Sequence, residues 1–226
     1  MMGQKEVTII PLNNIVFFPN TSLYLHLDEK YLINLILSSI ENEKLVGFSY
    51  GHDRATFNDL LKKPPMIFTL GSADLIEQRD DGSCEFIIKG VSRAQVLEVT
   101  QEIPYIKCSF TLIEDFPIIK PFCTHGRIQD LRSCLEDWAN KNLKSNGQQK
   151  EFLKSTRSLN SLVDHISMFL IDDINIKQII LENRFLDEKI YMLSLLLGSQ
   201  SSFEKMIGIN AIQYFEEMET HELIPQ

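Results

Sequence analysis

Two hydrophobic periods follow one another along this 226-residue chain. Up to about Asp115, apolar residues alternate with polar ones or run in short blocks, the pattern of strands. Val7 to Leu12 is β-prone, with Pro11 suited to a strand edge or end. Ile15-Val16-Phe17-Phe18 is an apolar run closed by the turn signal Pro19-Asn20. Leu23, Leu25 and Leu27 then alternate with Tyr24 and His26. One helix interrupts this region: Asp28 is placed to cap it, and Tyr31, Leu32, Leu35, Ile36 and Ile40 recur at spacings of three and four. Lys44 to Tyr50 reads as a further strand. Phe68 to Arg79 and Ser83 to Lys89 read as a hairpin across Asp81-Gly82, a pair compatible with the positive φ angles of a type I′ turn. Gly90 permits a bend or bulge before Ala94 to Val99, and Tyr105 to Ile113 alternates again. Short strands with turn residues between them, and one early helix, predict a small, partly open barrel.

From Phe122 onward the period is helical. Ile128, Leu131, Leu135 and Trp138 form one stripe, ending before Ser145-Asn146-Gly147. Phe152 belongs to a short second helix, and Leu159, Leu162, Val163, Ile166, Phe169 and Leu170 form a third stripe. Asp173 starts a fourth helix through Ile176, Ile179 and Ile180, and Asp187 caps a fifth carrying Ile190, Leu193 and Leu197. Gly198-Ser199-Gln200-Ser201 interrupts it before a last segment with Met206, Ile209, Ile212 and Phe215. No fixed-period repeat appears, which disfavours a solenoid.

Composition narrows the function classes. Hydrophobic residues make up 44% of the chain, enough for ordinary globular cores. The formal charge is −9, from 10 basic and 16 acidic residues up to Asp115 and 12 and 15 beyond it. No basic run exceeds Lys62-Lys63. A nucleic-acid partner, whose phosphates reward a basic face, is therefore not expected. Neither a signal-peptide core nor an apolar stretch of about 18 residues is present, so no membrane association is expected. Cys84, Cys108, Cys123 and Cys134 fit no disulfide scaffold, and a cytoplasmic setting with reduced thiols is the simplest expectation.

Several segments, taken in order, carry a resemblance. Pro11-Leu12-Asn13-Asn14-Ile15-Val16-Phe17-Phe18-Pro19-Asn20 resembles the Pro-Leu-Arg-x-x-Val-Val-Phe-Pro opening of the N-terminal domain of Lon, the ATP-dependent protease, with asparagine at 13 where that family usually has arginine. Gly71-Ser72-Ala73-Asp74-Leu75-Ile76 is similar to its Gly-x-x-Ala-x-Ile segment, with the alanine one place early. Asp81-Gly82-Ser83 and Ile87 to Ala94 resemble its Asp-Gly-Thr hairpin and Gly-x-x-Arg strand, and Pro104-Tyr105 has a counterpart. In the helical half, Leu162 to Ile166, Ile180-Leu181-Glu182 and Asp187-Glu188-Lys189-Ile190 are similar to family helices. The resemblance spans about residues 7–200. It implies an α+β fold: a PUA-like small β-barrel with one early helix over 1–117, then a C-terminal α-helical bundle over 118–226. It also implies a role in capturing unfolded or damaged polypeptides. Full-length Lon continues into an ATPase and a Ser-Lys peptidase. This sequence has no Gly-Lys pair, hence no Gly-x-x-x-x-Gly-Lys-[Ser/Thr] loop, and the expectation is a stand-alone recognition module without either.

Sharper chemistry has a few candidates. Gly47-Phe48-Ser49-Tyr50-Gly51 matches the Gly-x-Ser-x-Gly nucleophile elbow, which would make Ser49 the nucleophile of a small serine hydrolase. Its context argues otherwise: few strands precede it, no His-Gly-Gly segment offers an oxyanion hole, and antiparallel β follows, so it reads as a strand ending in a glycine turn. Cys108, Cys123, His125 and Cys134 lack the paired spacing of a zinc site. His165 reads as a solvated or capping histidine off the apolar stripe. Asp80-Asp81 and Asp172-Asp173 read as a turn and a helix start, and Glu216, Glu217 and Glu219 as a solvated face. Phe17, Phe18 and Phe68 read as core; exposed members of the set of fourteen Phe and six Tyr would suit capture of apolar segments. No catalytic, cofactor-binding or metal-binding residue is assigned and no cofactor is expected. The expected partners are unfolded or misfolded polypeptides and a full-length Lon protease, with the chain a monomer or dimer. A ligand- or RNA-binding regulatory barrel is the third class of reading.

Overall fold

The computed structural model describes residues 5–51, 66–118 and 121–198, with side chains from residue 125 onward in the last stretch. The expected segment with Met206 to Phe215 and the Glu216, Glu217 and Glu219 face lie outside the described residues. Six strands and six helices are present among them: β1 (Glu6–Leu12), β2 (Ser22–Leu27), α1 (Lys30–Glu41), β3 (Val46–Tyr50), β4 (Ile67–Gln78), β5 (Cys84–Gln101), β6 (Ile106–Ile113), α2 (Pro121–Asn142), α3 (Asn146–Ser155), α4 (Leu159–Phe169), α5 (Ile174–Glu182) and α6 (Leu186–Gly198). This is the α+β arrangement that the change of period predicts.

The sheet has the order β2-β5-β4-β3-β1-β6, and β5 also pairs with β6, so five strands close into a ring. All its pairings are antiparallel except β1 with β3. The eighteen-residue β5 makes closure possible, because its first part pairs with β2 and its second part with β6. Bulges supply the curvature. The register skips Ile76 on β4 and Val91 and Leu97 on β5. All three are exposed apolar residues. The irregularity expected at Gly90 is the one at Val91.

Both faces of the barrel wall are buried, which is why β1, β3 and β4 read as near-continuous apolar runs. Val7 and Ile9 join Phe68, Leu70, Ala94, Ile106 and Cys108 in one cluster. Ile10 and Leu12, on the opposite face of β1, join Phe17, Val46, Phe48 and Phe86 beneath Ile33 and Ile36 of α1. Phe17 meets Phe48 edge-on at 5.8 Å. The core assignment of Phe17, Phe18 and Phe68 holds.

Three local expectations change. Helix α1 is capped by Glu29 without a side-chain bond, so Asp28 is not its cap. Asp187 lies inside the first turn of α6, where its charge favours the helix N-terminus. The hairpin turn is not type I′. Gly82 has φ +86°, but Asp81 is not among the positive-φ residues. Arg79 N–H donates to Ser83 O and Gly82 N–H to Arg79 O, closing a three-residue loop, Asp80-Asp81-Gly82, of the kind that ends in a left-handed residue. Asp81 accepts from Ser83 N–H (2.9 Å) and Ser83 Oγ (2.7 Å), and these bonds hold its carboxyl below the usual carboxylate range.

The chain divides into two compact units, one formed by 1–115 with 155–184 and the other by 116–154 with 185–226. A single boundary after 117 therefore does not describe it, since α4 and α5 return to the barrel. In the first unit, Arg93 on β5 is buried at 4% exposure. Its Nη1 donates to the carbonyls of Leu181 (2.6 Å) and Asn183 (2.7 Å) at the C-terminus of α5, and its Nη2 to Asp115 Oδ1 (2.5 Å). A cation suits that helix end, whose last carbonyls have no partner within the helix. Asn20, held at φ +58°, donates to Asp164 Oδ2 of α4 at 2.7 Å. Gly90 lets the Phe18–Asn20 backbone pass against β5: a Cβ there would overlap the Phe18 carbonyl, and the close approach permits Asn20 N–H to Gly90 O and Gly90 N–H to Thr21 O bonds. In the second unit α2 packs on α6, with Leu131, Leu135, Ile190 and Leu193 buried, the Arg127 guanidinium 4.7 Å over the Tyr191 ring, and Trp138 5.5 Å from Phe152.

Arg93→Met is expected to lower the unfolding free energy by about 3–5 kcal/mol, because Asp115 and two carbonyls would lose a buried cationic partner. Arg93→Lys should recover only part of it, since one ammonium cannot reproduce the forked geometry. Urea unfolding followed by circular dichroism measures both.

Candidate groove on the barrel unit

An open groove of about 1330 Å³ lies in the barrel unit between α1 and the start of β1, continuing to β6. Helix α1 turns Ile33, Ile36 and Ser39 inward, which leaves Tyr31, Asn34, Leu35, Ser38 and Asn42 along the neighbouring stripe. The helix stops where Asn42 Nδ2 bonds Ser38 O (2.7 Å) and Glu43 takes φ +52°, and Leu45 and Val46 then enter β3 along the groove. Opposite, β1 and β6 pair Val7 with Cys108 and Thr8 with Lys107, bringing Tyr105 and Phe110 to the other wall. The Lys107 ammonium stands 5.2 Å over the Tyr105 ring, a cation–π contact that orients it.

The lining is apolar and aromatic with amides and hydroxyls between, and the rim charges balance: Lys5, Lys44 and Lys107 against Glu6, Glu29 and Glu43. Tyr31 is 53% exposed and Leu45 40%. The volume exceeds that of an ordinary small-molecule pocket, about 300–1,000 Å³. Such a surface can accept apolar side chains of a polypeptide without reading a particular sequence.

Sequence-based candidates fall elsewhere. Ser49 is buried inside β3 opposite Pro11, with its Oγ 3.4 Å from the Tyr50 carbonyl, and among the described residues no histidine nitrogen is bonded to it. It sits in a regular strand rather than a strand-to-helix elbow, and Phe68 packs where a Cβ on Gly47 would lie. Cys84, Cys108 and Cys134 are free thiols, and among the described residues no group of three or more His, Cys, Asp or Glu is placed to hold a metal. The Cys123 side chain lies outside the described residues. Burial pushes the Cys108 thiol up to about 12, with Glu6 adding to the effect. Asp173 does cap α5, accepting from Asn175 and Ile176 N–H.

His165 departs from expectation: it is buried, not solvated. Helix α4 is buried from Ser161 to Ser167, on polar as well as apolar positions, so an apolar stripe alone does not identify its solvent face. The His165 Nδ1 lies 2.7 Å from Ser161 O, which fixes that nitrogen as the donor, and Nε2 lies 3.3 Å from Ser155 Oγ. Burial lowers its pKa from the usual 6.5, with the Ser161 bond opposing.

The family model for the ATP-dependent protease La (LON) substrate-binding domain matches residues 6–199, and the chain belongs to that family. Among its relatives are the Lon protease of Parabacteroides distasonis, 28% identical over 134 residues, and Lon protease 1 of Thermus thermophilus, 24% identical over 215 residues. The matches cover 58% and 88% of this chain but 16% and 25% of those proteins. Two solved structures share the fold: a Lon N-terminal domain protein from Xanthomonas campestris (TM-score 0.60, 14% identity) and the N-terminal domain of Mycobacterium avium complex Lon protease (TM-score 0.61, 12% identity). Each likeness covers 84% of this chain and 96% of the other. Among the described residues no helix is long and apolar enough to cross a membrane.

A histidine whose folded pKa is depressed leaves the unfolded chain holding more protons below the ordinary value of 6.5. Its contribution is thus fully present above that pH and is lost as pH falls through the folded pKa. Stability is expected to decline from pH 7.5 to 5.5, and His165→Gln should flatten that decline. Urea midpoints at several pH values test this; identical profiles for the two proteins would contradict it.

Proposed function

We propose that this chain recognises unfolded or damaged polypeptide segments through the α1–β1–β6 groove and performs no catalysis itself, serving as a holdase or as an adaptor that brings clients to a Lon-type protease. The observation that carries the reading is an open, charge-balanced groove with exposed aromatic and aliphatic walls in a member of a substrate-binding domain family. Buried apolar anchors supply most of the energy at such surfaces, and a native protein with its own apolar residues inside has few to offer. Selectivity for unfolded clients follows from that difference. A cytoplasmic setting and a monomeric or dimeric state go with the proposal, the free thiols being consistent with a reducing compartment.

Fluorescence anisotropy with one client in native and unfolded forms tests it. The unfolded form should bind and the native form should not. Tyr31→Ser combined with Leu45→Ser should weaken binding about tenfold, or about 1.4 kcal/mol, with an unchanged circular dichroism spectrum. Equal affinity for both forms, or an intact affinity in the double variant, would contradict the assignment.

A further inference from the structure

We propose that the outer edge of β2 receives an extended client segment as an added strand, so that main-chain pairing supplements the groove. The proposal rests on the polypeptide-binding reading and gives it a second, distinct mode of recognition.

Strand β2 is the terminal strand of the sheet and pairs only with the first part of β5. Every other strand has neighbours on both sides along at least part of its length, whereas β2 has a partner strand on one side only from end to end. Alternate residues of Ser22–Leu27 therefore turn their N–H and C=O groups away from β5. Edge strands are usually blunted by proline, lysine, a bulge or a cover. The six residues Ser-Leu-Tyr-Leu-His-Leu contain no proline and no lysine, and their register with β5 is unbroken over six pairs. The face of the strand is amphipathic, with Tyr24 55% exposed and Leu23, Leu25 and Leu27 half-buried on the core cluster.

The edge is also tied in place. At one end Thr21 Oγ1 donates to Phe18 O (2.7 Å) and the Gly90 bonds tie Asn20 and Thr21 to β5. At the other, Tyr24 and Arg79 both donate to Glu85, and His26 Nδ1 lies 4.0 Å from the same carboxylate. A template fixed in advance loses little freedom when a strand is added. Main-chain groups read no side chains, so the occupant is any extended chain whose own amides are unpaired, which an unfolded polypeptide supplies. Exposed Asp28 and Glu29 follow β2 directly, and the chain carries −9 overall. This charge disfavours a second copy and favours a client segment that alternates apolar residues and carries Lys or Arg near the Leu27 end.

Hydrogen–deuterium exchange by mass spectrometry on the whole chain, with and without an unfolded client, reads the edge directly. Exchange in 22–27 should slow about tenfold on binding. A synthetic client peptide with N-methyl groups on one set of alternate residues should bind about tenfold more weakly, while the peptide methylated on the other set keeps its affinity. The perturbation sits in the client, so folding of the protein is untouched. Client binding with unchanged exchange in 22–27 and equal affinities for the two methylated peptides would overturn strand addition and leave the groove reading intact. Slowing in 22–27 that depends on protein concentration without client would overturn it in favour of self-pairing. An absence of client binding would overturn both readings.

Discussion

A guanidinium buried on the long strand of a barrel must find acceptors, and in this chain Arg93 finds them in two places far apart in sequence. Asp115 closes the first segment of the barrel unit, and the Leu181 and Asn183 carbonyls end the helical segment that returns to it. Either set alone would leave Arg93 incompletely satisfied. An unpaired buried cation costs several kcal/mol, so the return of α4 and α5 and the seating of β5 are mutually dependent. The Gly90 crossing sits three residues earlier on the same strand, where Phe18 to Thr21 is laced to β5 and Asn20 reaches Asp164 of α4. These two ties, one ionic and one made of backbone and amide bonds, turn a discontinuous stretch of chain into one unit.

That arrangement determines which surfaces stay open. The segment before β2 is pinned to Gly90, so β2 emerges in a fixed position along the first part of β5 while β6 occupies the second part. The ring closes without β2, which keeps its outer edge. Helix α1, leaving β2, covers the Ile10–Leu12 face of β1 and presents its next stripe to the groove. Groove and edge are consequences of one folding solution, in which a five-strand ring is closed by a strand long enough to carry a sixth.

Much of this was legible in the sequence because period is a direct imprint of burial. The strands, the early helix, the change to helices near residue 120 and the Asp173 cap follow from spacing and side-chain chemistry alone. The Gly90-Val91-Ser92-Arg93 segment marks both ties, yet its meaning depends on the Phe18 backbone and on α5, which no local pattern names. The return of α4 and α5 was invisible for that reason: an amphipathic helix shows that it is covered, not by what. His165 misled because its helix is buried on polar positions as well as apolar ones: local partners at Ser161 and Ser155 satisfy the imidazole, while the neighbouring Asp164 is bonded by Asn20 from more than a hundred residues away. Ser49 was legible from its context and not from its motif: a five-residue pattern carries no information about the elbow it requires, and the residue lies in a regular strand as its neighbours indicate. The groove has no motif at all. Its walls come from α1, β1, the entry to β3 and β6, and only the fold brings Tyr31, Leu45, Tyr105 and Phe110 together.

In the proposed function, unfolded polypeptide is held by the barrel unit at surfaces the fold leaves open. Photo-crosslinking tests it most directly: an unfolded client bearing benzophenone groups along its length is bound, irradiated and mapped by mass spectrometry. Crosslinks should concentrate on α1 near Tyr31 and Leu35, on Leu45, on β6 near Phe110 and along β2, and all should be lost when the client is native. Crosslinks spread over the α2 and α6 helices, or the same pattern with native client, would contradict it.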